Sequence, residues 1–214
     1  MQKDKNEKTS KAEKAVKIIS ETGGIAGTSD FIVNGIEKWD LTRLCRKGIL
    51  QRVQHGYYQL PGNRELREIN YLAKILPEAI IFLHSALFYY GYIKTKPKKW
   101  TIAVPRTVSQ TRLKKMIIPI KPYFSQPDIF NLGKTAARFK EDNSEATLLI
   151  YDRERTICDC FRYRTKLDKE FFSEVLRQYC ADSQKNTARL CEYAKKLGIL
   201  TKIEETMMLL GIRL

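Results

Sequence analysis

The 214-residue sequence is short of the side chains that build metal and redox centres. It has two histidines, His55 and His84, and five cysteines, Cys45, Cys158, Cys160, Cys180 and Cys191, none in C-x-x-C spacing. Histidines so far apart, with an odd and unpatterned set of thiols, leave no zinc site to read. They fit reduced cysteines in a cytosolic protein. No apolar run approaches the roughly 18 residues of a membrane helix, and the charged N-terminus has no apolar stretch behind it, so neither a span nor a signal peptide is expected. P-loop and G-x-G-x-x-G patterns are missing. Asp-x-Lys and Glu-x-Lys, the strand pattern of one large class of metal-dependent nucleases, occur nowhere. No cofactor is therefore expected.

One absence is local. Between Glu78 and Asp128 there is no acidic residue, while Lys94, Lys96, Lys98, Lys99, Arg106, Arg112, Lys114, Lys115 and Lys121 all fall there, interleaved with Tyr89, Tyr90, Tyr92, Trp100 and Tyr123. Charge of one sign over that length projects a positive potential. The chain as a whole carries +15, which points to a nucleic acid, an anionic surface or an acidic protein as partner. Residues 1–62 hold 11 Lys and Arg against 7 Asp and Glu. Residues 63–214 hold 28 against 17, so most of the excess lies in the second part. Apolar residues make up 43%, enough for a packed core.

The most organised stretch runs from Ile36 to Leu60. Leu41, Leu44 and Cys45 share one helical face. Lys38, Trp39, Thr42, Arg43 and Arg46 lie on the polar, basic side. Gly48 sits where a helix C-terminus favours positive φ, with Arg46 and Lys47 against the negative dipole end. Ile49–Val53 and Tyr57–Leu60 read as strands, with His55-Gly56 as their turn. A helix offering Thr and Arg outward, then a hairpin carrying Arg52, Gln54 and His55, is the outline of a winged helix-turn-helix. In that arrangement the helix reads the major groove and the ribbon touches phosphate.

Upstream, Met1 to Ser10 is polar and is expected to be disordered, the first domain starting near residue 12. Ala12, Ala15, Val16, Ile18 and Ile19 form the stripe of a first helix ending at Gly23-Gly24. Ile25 and Ala26 suggest a one-bridge strand, and Thr28 or Ser29 an N-cap for a short helix holding Phe31 and Ile32. Leu60-Pro61-Gly62-Asn63 reads as a domain boundary. Beyond it the pattern is a helix over Arg64–Leu76, then strands at Ala79–Leu83, Trp100–Val104, Met116–Ile120, Thr135–Phe139 and Thr147–Tyr151. From Asp152 the period becomes helical. The expected fold is α+β: residues 1–11 disordered, 12–62 a winged helix-turn-helix, and 63–214 a mixed α/β domain ending in a run of helices.

Two polar clusters have residue types that could carry catalysis. Asp152, Glu154 and Asp159 follow a strand and suggest a metal-dependent nuclease, or another nucleic-acid-processing enzyme, with a winged-helix adaptor. The bland reading is helix capping by Asp152 and an i, i+4 pair between Arg155 and Asp159. His84-Ser85 fails as a nucleophile pair, because adjacent helical residues point about 100° apart and no orienting acid or glycine elbow accompanies them. A regulator with an effector pocket in the second domain is a third possibility. No catalytic or metal-binding residue is assigned.

The segment AEKAVKIISETGGIAGTSDFIVNGIEKWDLTRLCRKGILQRVQHGYYQL resembles the winged-helix module of the AbiEi family of abortive-infection antitoxins. Leu44, Gly48, Leu50, Val53, Gly56 and Tyr58 stand in the expected places. HSALFYYG, WTIAVP and ERTICDCF resemble pieces of that family's second domain. The resemblance covers most of residues 12–180; the tail beyond is unmatched. It implies a cytoplasmic bacterial antitoxin and repressor that binds inverted repeats of duplex DNA upstream of its own operon. It also implies a second domain that counteracts a nucleotidyltransferase-fold toxin encoded alongside, in a type IV system needing no stable complex.

Overall fold

Helix α1 (Gln2–Glu21) buries Ala15, Ile18 and Ile19 at i, i+3, i+4 spacing. The structure is a computed structural model and describes residues 2–63 and 66–209. Helix α1 takes in the polar lead-in expected to precede the first helix. Val16 is 38% exposed, because it lies one position round from the buried stripe. The helix stops at Gly23 and Gly24, both at positive φ. At Gly23 a Cβ would overlap the Asn70 side chain, so only glycine fits.

The described residues fall into two units, one drawn from Met1–Pro77 with Arg138–Leu148, the other from Glu78–Ala137 with Leu149–Leu214. In the first, β1 (Ala26–Gly27), α2 (Thr28–Val33), α3 (Lys38–Arg46), β2 (Gln51–Gln54) and β3 (Tyr57–Gln59) follow α1. The strands form an antiparallel sheet in the order β1-β3-β2. Phe31, Ile36, Leu41, Leu44 and Leu50 pack with the α1 stripe into one core. Two expectations shift. The N-cap of α2 is Gly27, not Thr28 or Ser29, because both the amide and the hydroxyl of Thr28 donate to Gly56 O. Strand β2 starts at Gln51, because the Ile49 and Leu50 amides satisfy Leu44 O at the end of α3.

This unit also contains α4 (Glu68–Ile75) and the tip of a hairpin made by β7 (Lys134–Glu141) and β8 (Ser144–Tyr151), beyond the boundary expected at residue 62. The Arg67 amide donates to Gly23 O, Glu141 accepts from the Ile69 amide, and Lys74 pairs with Asp30 at 2.8 Å. Burial alone would raise the Asp30 carboxyl, but Lys74 and the Gly27 amide hold it below its ordinary value. The expected helix start at Arg64 lies outside the described residues.

The second unit is mixed α/β. Its sheet runs β6-β5-β4-β8-β7, with β4 (Ile80–Ile81), β5 (Trp100–Pro105) and β6 (Ile120–Ser125). β4 is antiparallel to β5 and parallel to β8, and β5 is parallel to β6. The strand expected at Met116–Ile120 begins at Ile120, where register with Trp100 starts. Pro122 is tolerated because β6 is an edge. Helices α5 (Leu83–Tyr89), α6 (Gln110–Lys114) and α7 (Pro127–Phe130) connect strands. Helices α8 (Arg153–Arg162), α9 (Lys169–Ala181), α10 (Thr187–Lys196) and α11 (Leu200–Leu209) close the chain as the expected helical run. Phe82, Ile157, Val175, Leu176, Leu190, Ala194 and Ile203 share their core.

Arg155, 1% exposed, pins α8 in place. Its Nε donates to Asp159 Oδ2 at 2.9 Å, its Nη1 donates to the Ile129 and Leu132 carbonyls, and its guanidinium lies 4.3 Å from the Tyr151 ring centroid. Asp159 is fully buried and also accepts from Arg162 at 2.7 Å. Removing one partner of a buried pair strands the other, so Asp159→Ala should lower unfolding free energy by about 3–5 kcal/mol. Urea denaturation of the full chain measures this, and a loss under about 1 kcal/mol would contradict it.

Candidate nucleic-acid interface

Helix α3 turns Lys38, Trp39, Thr42 and Arg46 outward while burying Leu41 and Leu44. Gly48, at φ +67, ends it as its position suggested. The exposed residues are not equally free. Thr42 donates its hydroxyl back to Lys38 O at 3.2 Å. Trp39, 54% exposed, donates Nε1 to Glu37 at 2.8 Å. The Arg43 guanidinium lies 4.8 Å from the Trp39 ring centroid and donates Nη2 to Asp40 Oδ1 at 2.8 Å. Lys11, from α1, reaches the same place: its Nζ is 3.0 Å from Asp40 Oδ2 and 5.0 Å from the Trp39 centroid.

Asp40 has no exposed surface, so its charge is met inside the fold. Oδ2 also accepts from the Glu37 amide, an orphan donor at the start of α3. One carboxylate thus holds two cations, both of which lie by the indole. Neither Asp40 nor Lys11 figured among the candidates read from sequence. Asp40 at i−3 from Arg43 was a findable pair; Lys11, 29 residues away from Asp40, carried no local signal.

The hairpin carries the second group. Arg52 donates Nη2 to His55 Nδ1 at 2.7 Å, so Nδ1 is the accepting nitrogen of that ring. Both side chains are exposed, while Gln54 is half-buried. A bulge between Arg52 and Gln54 precedes the His55-Gly56 turn, and Gly56 takes φ +77. Thr28 anchors this turn through its two hydrogen bonds to Gly56 O. The Cys45 thiol is pushed up by burial, with Arg52 pulling the other way.

In the second unit the basic tract is spread over several elements. Lys94, Lys96, Lys98 and Lys99 lie in the loop before β5, and Arg106 lies beyond its other end. Lys114 and Lys115 are exposed at the end of α6. Arg112 is not available as part of such a surface, because it pairs with Glu78.

The acidic cluster is spent on structure. Asp152 caps α8, accepting from the Arg155 amide, and accepts from Tyr193 OH at 3.0 Å. Glu154 accepts from the Asn186 amide at 2.8 Å. Asp159 is consumed by Arg155 and Arg162. Among the described residues no group of three His, Cys, Asp or Glu side chains is placed to hold a metal. The nuclease constellation is therefore not brought together. Ser85 and Thr101 exchange hydrogen bonds that tie α5 to β5, which accounts for the serine. Burial raises the thiols of Cys158, to about 12, and of Cys160.

No helix among the described residues is long and apolar enough to cross a membrane. A family model described as a transcriptional regulator, AbiEi antitoxin, matches residues 13–61, and it supports the AbiEi-type reading of this chain. No curated protein matches the chain.

The Asp40 pairing makes Arg43 a structural residue as well as a surface one. Arg43→Ala should destabilise the protein by roughly 1–3 kcal/mol, since it leaves a buried carboxylate short of a charged donor. Arg46→Ala should stay within about 0.5 kcal/mol. Urea midpoints for the two variants decide this, and equal midpoints would contradict it.

Proposed function

Starting from the antitoxin-regulator match of residues 13–61, we propose that this protein is a DNA-binding repressor and antitoxin of a bacterial type IV toxin–antitoxin system. It works in the cytoplasm, binds duplex DNA at inverted repeats upstream of its own operon, and counteracts a nucleotidyltransferase-fold toxin encoded beside it. The observation that carries the DNA reading is the α3–hairpin pair. An exposed basic helix, a tight stop at Gly48 and an arginine-bearing ribbon anchored through Thr28 support a winged helix-turn-helix reading, which needs a helix followed by a ribbon.

In this reading α3 enters the major groove. Arg43 gives one Nη2 N–H to Asp40, and its remaining N–H donors suit guanine O6 and N7. Thr42 meets a thymine methyl, and Arg46, a turn later, meets phosphate. Arg52 and His55 position the ribbon on the backbone. Asp40 and Trp39 set the direction of the Arg43 side chain beforehand, which lowers the entropy lost on binding.

Salt titrations of the full chain on operator and scrambled duplex test this division. Arg43→Ala should cost about 1–3 kcal/mol on the operator and little on scrambled DNA. Arg52→Ala should weaken both similarly and reduce the salt slope by about one. If Arg43→Ala weakens both duplexes equally while Arg52→Ala changes their ratio, helix and ribbon have the opposite roles.

The second unit is proposed to carry neutralisation, through its lysine-rich surface. Charge reversal at Lys98, Lys99, Lys114 and Lys115, all exposed, should leave the fold intact. It should weaken protection against the toxin more than repression of a reporter. Equal loss of both, or of neither, would remove the separate role of that surface.

A further inference from the structure

A concavity in the second unit is lined mostly by residues that the reading above does not use. It lies between the loop 91–98 and helix α9 and has a volume of about 720 Å³. That is within the range of roughly 300–1,000 Å³ of small-molecule sites. Its walls differ in chemistry. One presents Lys94, Lys96 and Lys98, none of which makes an ion pair or hydrogen bond among the described residues. The other presents Glu170, whose carboxylate likewise has no partner there, and Glu174, which is occupied by Arg177 at 3.0 Å and Gln178 at 2.7 Å.

Between these walls lies an aromatic pair. The His84 and Phe171 rings stack with centroids 5.1 Å apart and an interplanar angle of 27°. His84 Nδ1 is buried and meets no hydrogen-bond partner. Burial, with Lys121 nearby, holds the His84 ring below its ordinary pKa. A buried ring nitrogen without a partner carries a desolvation cost that a bound polar group would remove.

We propose that this cavity binds a nucleotide, its phosphates on Lys94, Lys96 and Lys98 and its base against the His84–Phe171 pair. The unspent Glu170 carboxylate is a fit acceptor for ribose hydroxyls. Glu170 on the opposite wall limits the run of positive surface, so the site suits a short phosphate group better than a long polyanion laid across the opening. Three flexible lysines grip phosphate as point charges, so no glycine-rich loop is required. This inference is independent of the DNA-binding reading of the first unit.

Calorimetric titration of the full-length protein with ATP, adenosine and inorganic tripolyphosphate tests it. ATP should bind saturably at one site, with adenosine and tripolyphosphate each weaker by about tenfold or more, since each lacks one half of the contacts. Replacing Lys94, Lys96 and Lys98 together by Ala should weaken ATP by at least about tenfold. Because these lysines are exposed, the thermal melt should not change. Phe171→Leu should bring ATP down to the affinity of tripolyphosphate, and Lys114→Ala with Lys115→Ala should leave ATP binding unaltered. Tripolyphosphate binding as tight as ATP would reduce the site to a positive field and overturn the proposal. So would saturation by none of ATP, GTP, CTP or UTP, or displacement of ATP by a single-stranded oligonucleotide at lower concentration than by free nucleotide.

Discussion

The Asp40 carboxylate is the constraint on which the first unit's exposed chemistry depends. It is wholly buried, so its charge has to be matched by donors inside the fold. Lys11 comes from α1, Arg43 from one turn along α3, and the Glu37 amide from the helix start. The two cations are themselves only partly covered, and both lie by the Trp39 indole. A buried anion thereby arranges a cationic and aromatic surface. The pairing fastens α1 to α3 and at the same time restricts where Arg43 can point. Stability and the proposed base contact are therefore linked through one residue that would itself touch no DNA.

The second unit uses the same device for a different end. Asp159 is again a buried carboxylate with two arginines, but Arg155 is buried with it. Its Nε is spent on Asp159 and its Nη1 on the Ile129 and Leu132 carbonyls, and its Cβ and Cγ fill the space beside Gly133, where a Cβ would come within 2.5 Å of Arg155 Cβ. Among the described residues Asp159 is engaged by both arginines. The contrast explains why a polar cluster after a strand, suggestive of catalysis on paper, is a structural fastening. Asp152 and Asp159 are held by the amide and the side chain of Arg155 and Glu154 by the Asn186 amide, whereas metal chemistry needs carboxylates that converge.

The net charge of the chain acts at longer range. Positive residues of the acid-free tract lie at both ends of β5 and along α6, and one, Arg112, is neutralised by Glu78. Such an arrangement attracts polyanions from solution without defining a footprint. Local footprints arise where lysines remain unpaired beside apolar or aromatic surface, as around the loop 91–98 and the His84–Phe171 pair.

Features set by neighbouring residues were legible in the sequence. The Leu41–Leu44 stripe, the stop at Gly48, the His55-Gly56 turn, the Arg155–Asp159 pair and the closing helical run depend on spacing within a few positions and on glycine's access to positive φ. The charge imbalance was legible too, since it needs only counting. What depends on distant segments was not. Lys11 finds Asp40, and the Glu141 side chain finds the Ile69 amide, only once the chain has folded back. The start of β6 at Ile120 was decided by the register of β5, not by the apolar run before it. The first unit's reach beyond residue 62 was decided in the same way, by the packing of Gly23 on Asn70 and the pairing of Asp30 with Lys74. Periodicity reports which face of an element avoids water, whereas the partner that covers a buried charge or edge is chosen by tertiary proximity, and that has no local period.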